Sequence, residues 1–127
     1  MNSTGDWPAD RAWFVEAKIA DKAHGLNLYG KHGIRRFVDG EYAWAMPSAL
    51  MLCYAGDGWK AAIELDQWLN HSDTKAKFKN RSKAMRDPDL TGKTAEVWRS
   101  EHDRDGLYAS ATHGPGPLTL HHIWLQL

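Results

Sequence analysis

The last third of the chain alternates between apolar and polar residues with the period of two that is typical of β-strands. This alternation predicts three strands, over residues 95–101, 107–112 and 118–126. The links between them are short, polar and contain glycine, so the strands are expected to form an antiparallel meander. The remaining residues must then cover this sheet, which constrains the fold more than any other feature of the sequence.

The first two thirds of the chain contain several apolar stripes at helical spacing. Asp6 is a suitable N-cap for the first of them, and Gly25 is a suitable stop. The second is apolar on every side, which indicates a buried helix. The four predicted helices span residues 8–24, 48–55, 58–70 and 74–86.

A turn signal interrupts the predicted helices. Asp39 and Gly40 stand between strand-forming residues on both sides, which predicts a β-hairpin within residues 34–46. The predicted fold class is therefore α+β, with N-terminal helices and one β-hairpin packed on a C-terminal antiparallel β-meander. At 127 residues, the chain is expected to form a single domain over residues 1–127.

Charge and cysteine content exclude several classes of function. Sixteen basic and sixteen acidic residues cancel, so no net field draws the protein onto nucleic acid or an anionic membrane. Cys53 is the only cysteine, which excludes an intrachain disulfide and an all-cysteine zinc site. No signal peptide or nucleotide-binding loop is recognisable, so the sequence predicts a cytoplasmic protein without a cofactor or metal.

A cluster of basic residues is the first candidate binding site. Between residues 72 and 86, six cations accompany one acid, Asp73. Such a segment is suited to an acidic protein surface or to phosphates, although a solvated helix would have the same composition. The six candidate binding residues are Lys75, Lys77, Lys79, Arg81, Lys83 and Arg86.

Histidines on the predicted meander are the second candidate. Neighbouring residues of a strand point to opposite faces, so His121 and His122 are not expected to serve one site. His122 shares its face with apolar residues, so it is either a hydrogen-bonded core histidine or a general base in a pocket. The pocket candidates are Tyr42, His102, His122 and Trp124.

The pair Glu16 and Lys18 is a third candidate. On a strand, Glu-x-Lys would resemble half of a PD-(D/E)xK nuclease site, in which carboxylates hold Mg²⁺ and the lysine steadies a water molecule. The same residues follow the helical spacing of the first apolar stripe. We therefore assign them to the first helix.

Aromatic rings and the final strand suggest how the protein makes contacts. Seven tryptophans either fill the core or line a pocket or interface. The last strand is apolar on both faces, so it is expected either to lie centrally or to pair across a homodimer.

Together these features predict a small non-enzymatic binding module. It is expected to engage a partner protein, or as the weaker alternative a nucleic acid, through the basic segment and an aromatic-rich sheet face. The alternative is a small-molecule-binding protein or small enzyme, with a cystatin-like or NTF2-like pocket between helices and a curved sheet and a histidine as general base.

Overall fold

One mixed sheet organises the protein, for which the computed structural model describes residues 14–39, 47–87, 95–104 and 116–127. The five strands described are β1 (Val15–Ala20), β2 (Ser48–Ala55), β3 (Met85–Arg86), β4 (Ala95–His102) and β5 (Leu118–Gln126). In the sheet they lie in the order β1-β2-β5-β4-β3.

Three helices accompany the sheet within the described residues. Helix α1 (26–38) consists of the contiguous segments Leu26–Tyr29, Gly30–Ile34 and Arg35–Val38, of which the middle one is π-helical. Helix α2 (61–69) joins the π-helical segment Ala61–Leu65 to Asp66–Leu69. Helix α3 is Ser72–Lys77. The predicted α+β class is confirmed.

The directions of the strands differ from the predicted meander. Strands β4 and β5 are antiparallel neighbours, whereas the predicted meander places residues 107–112 between them and makes them parallel to each other. Strand β3 also pairs with β4 in antiparallel fashion. Strands β1, β2 and β5 are parallel, because helix α1 lies between β1 and β2 in the chain and allows a crossover connection. The predicted strand over residues 107–112 lies outside the described residues.

Strand β5 lies in the interior of the sheet. It pairs with β2 on one side and with β4 on the other, so its predicted alternative, pairing across a homodimer, lacks a free edge. Its core face is fully buried, whereas its other face is only half-buried.

Strand β1 replaces the predicted first helix over residues 15–20. Its exposed residues, Val15, Ala17 and Ile19, alternate with more buried residues. This period of two is that of a strand, so the predicted helical spacing is wrong here. The beginning of the predicted helix lies outside the described residues.

Strand β2 likewise replaces a predicted helix over residues 48–55. It lies between two parallel neighbours, β1 and β5. Such a strand is apolar along its whole length, and a short apolar run does not distinguish a buried strand from a buried helix.

The predicted hairpin is wrong over residues 34–38, which are the last turns of α1. Asp39 is the C-cap of that helix, because a short polar residue followed by glycine ends a helix as readily as it turns a hairpin. Gly40 and residues 41–46 lie outside the described part.

The two later helices are nearer to the prediction. The helix predicted over 58–70 is confirmed at residues 61–69. The helix predicted over 74–86 ends at Lys77, since Lys79 adopts a left-handed conformation with φ of 54°. Residues 85 and 86 form β3 at the edge of the sheet.

The core lies between the helices and one face of the sheet. Trp98, Trp124 and Cys53 are buried there, and burial raises the pKa of the Cys53 thiol to about 12. Trp59 and Trp68 pack against this core, while Trp7, Trp13 and Trp44 lie outside the described residues. None of the helices in the described ranges has the length and apolar character needed to cross a lipid bilayer.

Candidate functional site

A chain of buried side-chain hydrogen bonds links β4 and β5 to α1. The hydroxyl oxygen of Ser100 lies 2.7 Å from Nε2 of His102 and 2.7 Å from Nε2 of His122. Nδ1 of His122 lies 2.7 Å from the hydroxyl oxygen of Tyr29. The same oxygen accepts a hydrogen bond from Nε1 of Trp124, at 3.4 Å.

The contact of His102 at the other end of this hydrogen-bonded network determines which atom of each group carries the hydrogen. Nδ1 of His102 lies 2.7 Å from the carbonyl oxygen of Phe78, which only accepts, so this nitrogen carries a hydrogen. In the neutral His102 ring, Nε2 then carries no hydrogen and accepts a hydrogen bond from the Ser100 hydroxyl. The Ser100 oxygen in turn accepts from Nε2 of His122, whose Nδ1 accepts from the Tyr29 hydroxyl.

Burial keeps both histidines neutral. Removal from water lowers the pKa of His102 to about 4, although the carbonyl of Phe78 partly opposes this. Burial also lowers the pKa of His122 well below its ordinary value, and the nearby His102 and His121 add to that effect. Burial raises the pKa of the Tyr29 hydroxyl well above its ordinary value.

The structure thus brings three of the four pocket candidates together, but in the core. His102, His122 and Trp124 are fully buried and line neither of the two clefts described below. His121 points to the opposite face of β5, as the alternation predicts. Tyr42 lies outside the described residues.

The first cleft, of about 880 Å³, opens between the three helices. Its apolar surface includes Trp68 and Phe78, whose ring centroids are 5.6 Å apart. The guanidinium of Arg35 lies 5.6 Å from the centre of the Phe78 ring, within the range of a cation–π contact. This volume falls in the range of small-molecule sites.

Exposed cations surround the first cleft. Lys31 and Arg35, one helical turn apart on α1, face Lys77 of α3. None of the three forms an ion pair with another residue of the described part. Two carboxylates also line the cleft; Glu64 accepts a hydrogen bond from the backbone of Lys60, and Asp73 lies in the first turn of α3.

The predicted basic segment does not form one helical face. Lys75 and Lys77 lie on α3, whereas Lys79, Arg81 and Lys83 follow it in irregular backbone and Arg86 lies on β3. Arg81 forms an ion pair of 3.1 Å with Asp103. Of the six, only Lys77 lines the first cleft.

Lys31 and Arg35 were missed by the sequence reasoning, because the predicted hairpin covered the end of their helix. A signal was present: residues 26–38 include Lys31, His32, Arg35 and Arg36 but no acidic residue. A segment of one charge sign in a chain of zero net charge indicates a local field.

The second cleft, of about 590 Å³, follows the edge of β1. Lys18, His32 and Arg36 line it on the helical side of the sheet, and Ile19 and Tyr54 line it on the other side. The carboxylate of Glu16 lies 2.8 Å from Nζ of Lys18 and 3.7 Å from the Arg36 guanidinium.

The Glu-x-Lys pair of the PD-(D/E)xK nuclease motif requires a strand, and Glu16 and Lys18 do lie on one face of β1. In residues 14–39, 47–87, 95–104 and 116–127, no group of three or more His, Cys, Asp or Glu side chains is placed to hold a metal ion. Glu16 is instead held between two cations.

Comparison of the chain with protein-family models, with curated proteins and with solved structures finds no match.

Proposed function

We propose that this protein is a binding module that takes an organic anion in the first cleft. The observation that carries the proposal is the convergence of Lys31, Arg35 and Lys77, from two helices, around an aromatic surface. A carboxylate or phosphate at the rim gains charge-assisted hydrogen bonds from these groups.

The aromatic surface indicates what the anionic group is attached to. Trp68 is partly exposed and lines the cleft, whereas Leu26 and Phe78 beside it are buried. A planar or apolar body buries its surface against the Trp68 ring, which favours an aromatic anion over inorganic phosphate alone.

A small ligand suits the cleft better than a nucleic acid does. The three cations share the cleft with Glu64 and Asp73, so the local excess of positive charge is small. A polyanion would meet these two carboxylates as well, and a protein of zero net charge does not attract it from a distance.

The proposal is tested with 1-naphthyl phosphate as the probe and 1-naphthol as its uncharged counterpart, by calorimetric titration. We expect the phosphate to bind and the naphthol to bind at least about tenfold more weakly, because one charge-assisted contact contributes about 1.5 to 3 kcal/mol. Each of Lys31→Gln, Arg35→Gln and Lys77→Gln is expected to weaken binding of the phosphate about three- to tenfold.

Lys83→Gln is the matched control, since Lys83 is exposed and does not line the cleft. Equal loss of affinity in this control and in the cleft variants would contradict the proposal, as would the absence of any binding by the wild-type protein.

The second candidate function is binding of an acidic surface on a partner protein or a nucleic acid through the basic segment. It is favoured by the exposure of Lys79, Lys83 and Arg86 outside the cleft. Charge reversal of these three residues to Glu should then abolish retention on heparin and leave binding of 1-naphthyl phosphate unchanged. Heparin retention that survives the reversal excludes this candidate.

A further inference from the structure

Strand β1 is an edge strand of the sheet formed by the described residues, and the proposed function leaves this edge unused. The carbonyl oxygens of Phe14 and Ala20 accept hydrogen bonds from the next strand, at Leu50 and Gly56. Residues alternate along a strand, so the backbone groups of Val15, Ala17 and Ile19 point away from β2. Within the described part of the chain, these backbone groups have no hydrogen-bond partner.

The side chains at this edge leave apolar surface in water. Val15 is 52% exposed, Ile19 47% and Tyr54 39%, and all three lie on the sheet face that points away from the helices. An exposed strand with such side chains is a template for pairing with another strand. The second cleft follows the same edge and includes side chains from both faces of the sheet.

The sequence of β1 is complementary to itself. We propose that two copies of the protein pair through β1 in antiparallel fashion about a twofold axis at Ala17, which forms one continuous sheet across the dimer. Ala17 then pairs with Ala17 of the second copy, and Val15 pairs with Ile19. These residues point their backbone groups away from β2 and have no backbone partner among the described residues, so each pair exchanges two backbone hydrogen bonds.

Charge complementarity supports this pairing. On the helical face of the sheet, Glu16 of one copy lies opposite Lys18 of the other, and the reverse holds by symmetry. Opposite charges that face each other across strands are stabilising, and like charges are destabilising. On the other face, Val15 and Ile19 bury each other.

The same charges select the register. If one strand slides by two residues along the other, the twofold axis moves to residue 16 or to residue 18. Glu16 then lies opposite Glu16 of the second copy, or Lys18 lies opposite Lys18. Each shifted register therefore contains a like-charge pair, whereas the register centred on Ala17 contains none.

The experiment measures the mass of the full chain by light scattering and sedimentation across a concentration series. The wild-type protein is expected to form dimers. Glu16→Lys and Lys18→Glu each create two like-charge contacts, so each is expected to raise the dissociation constant at least about tenfold.

Two combinations separate this dimer from damage to the fold. The double variant Glu16→Lys/Lys18→Glu restores opposite charges across the interface and is expected to dimerise again. An equimolar mixture of the two single variants is expected to form a heterodimer, because both charged cross-strand pairs in it join opposite charges.

Ala17→Pro removes a backbone donor that points away from β2 and is expected to give a folded monomer by circular dichroism and light scattering. A wild-type protein that stays monomeric at every concentration overturns the proposal. So does a dimer whose affinity is unchanged in the single variants, since it must use another surface.

Discussion

At the level of single residues, a network of buried hydrogen bonds from Trp124 to the carbonyl of Phe78 constrains the core. Every nitrogen of His102 and His122 has a partner, and Ser100 connects the two rings. A fully satisfied buried network of this kind specifies one arrangement of the core, because an unpaired polar group there is costly.

Removal of the Ser100 hydroxyl tests this network. Ser100→Ala leaves Nε2–H of His122 without an acceptor and Nε2 of His102 without a donor. We expect a loss of about 2 to 4 kcal/mol in the free energy of unfolding, measured with urea. Ser82→Ala, at an exposed position, is the control and should change stability little. Equal stability of the two variants would contradict the network.

The depressed pKa values predict how stability depends on pH. His102 has a folded pKa of about 4 against an ordinary value of 6.5, so the unfolded chain binds its proton first as the pH falls. The contribution of neutral His102 to the free energy of unfolding is therefore fully present above about pH 6.5 and is lost as the pH falls towards about 4. This contribution amounts to about 3 kcal/mol.

Urea unfolding at about pH 7.5 and about pH 5 measures this effect. His102 alone should account for a loss of about 2 kcal/mol at the lower pH, and His122 should add to it. Histidine NMR is the companion measurement. Ring signals of His102 that titrate near their ordinary pKa would contradict the assignment.

At the scale of elements, helix α1 approaches the rest of the core closely at Gly30. A Cβ atom at this position would overlap the rings of Phe78 and Trp68. A glycine therefore allows α1 to lie against α2 and α3, and the same approach forms one wall of the first cleft.

Gly30→Ala is expected to destabilise the protein by about 1 to 3 kcal/mol, because the two rings must shift in a packed core. Gly25→Ala is the matched control, since a Cβ there meets no atom within 4 Å. Chemical denaturation compares the two. A Gly30→Ala variant as stable as the control would show that α1 does not pack as described.

The elements also show how far the sequence predicts this fold. Strands β4 and β5 and the helix at 61–69 follow from periodicity, since each has one face in the core. Strand β2 does not, because its side chains are mostly apolar on both faces although only one face is fully buried, so its sequence shows no alternation. Helix α1 was hidden because Asp39 and Gly40 signal a helix end and a hairpin turn equally well.

At the scale of the whole molecule, the mixed sheet decides which candidate residues can act together. The position of His122 on the core face of β5 follows from alternation, whereas its bond to Ser100 requires the pairing of β4 with β5. Lys31, Arg35 and Lys77 meet only because three helices pack on one face of that sheet. Contacts between distant segments of this kind are not encoded in local sequence patterns.

Amide NMR of the ¹⁵N-labelled protein during titration with 1-naphthyl phosphate shows directly whether the first cleft holds the anion. We expect the largest shift changes in residues 26–35 and 67–78, which include most of the residues that line the cleft. Changes centred on residues 79–86 or on β1, with those two stretches unaffected, would contradict it.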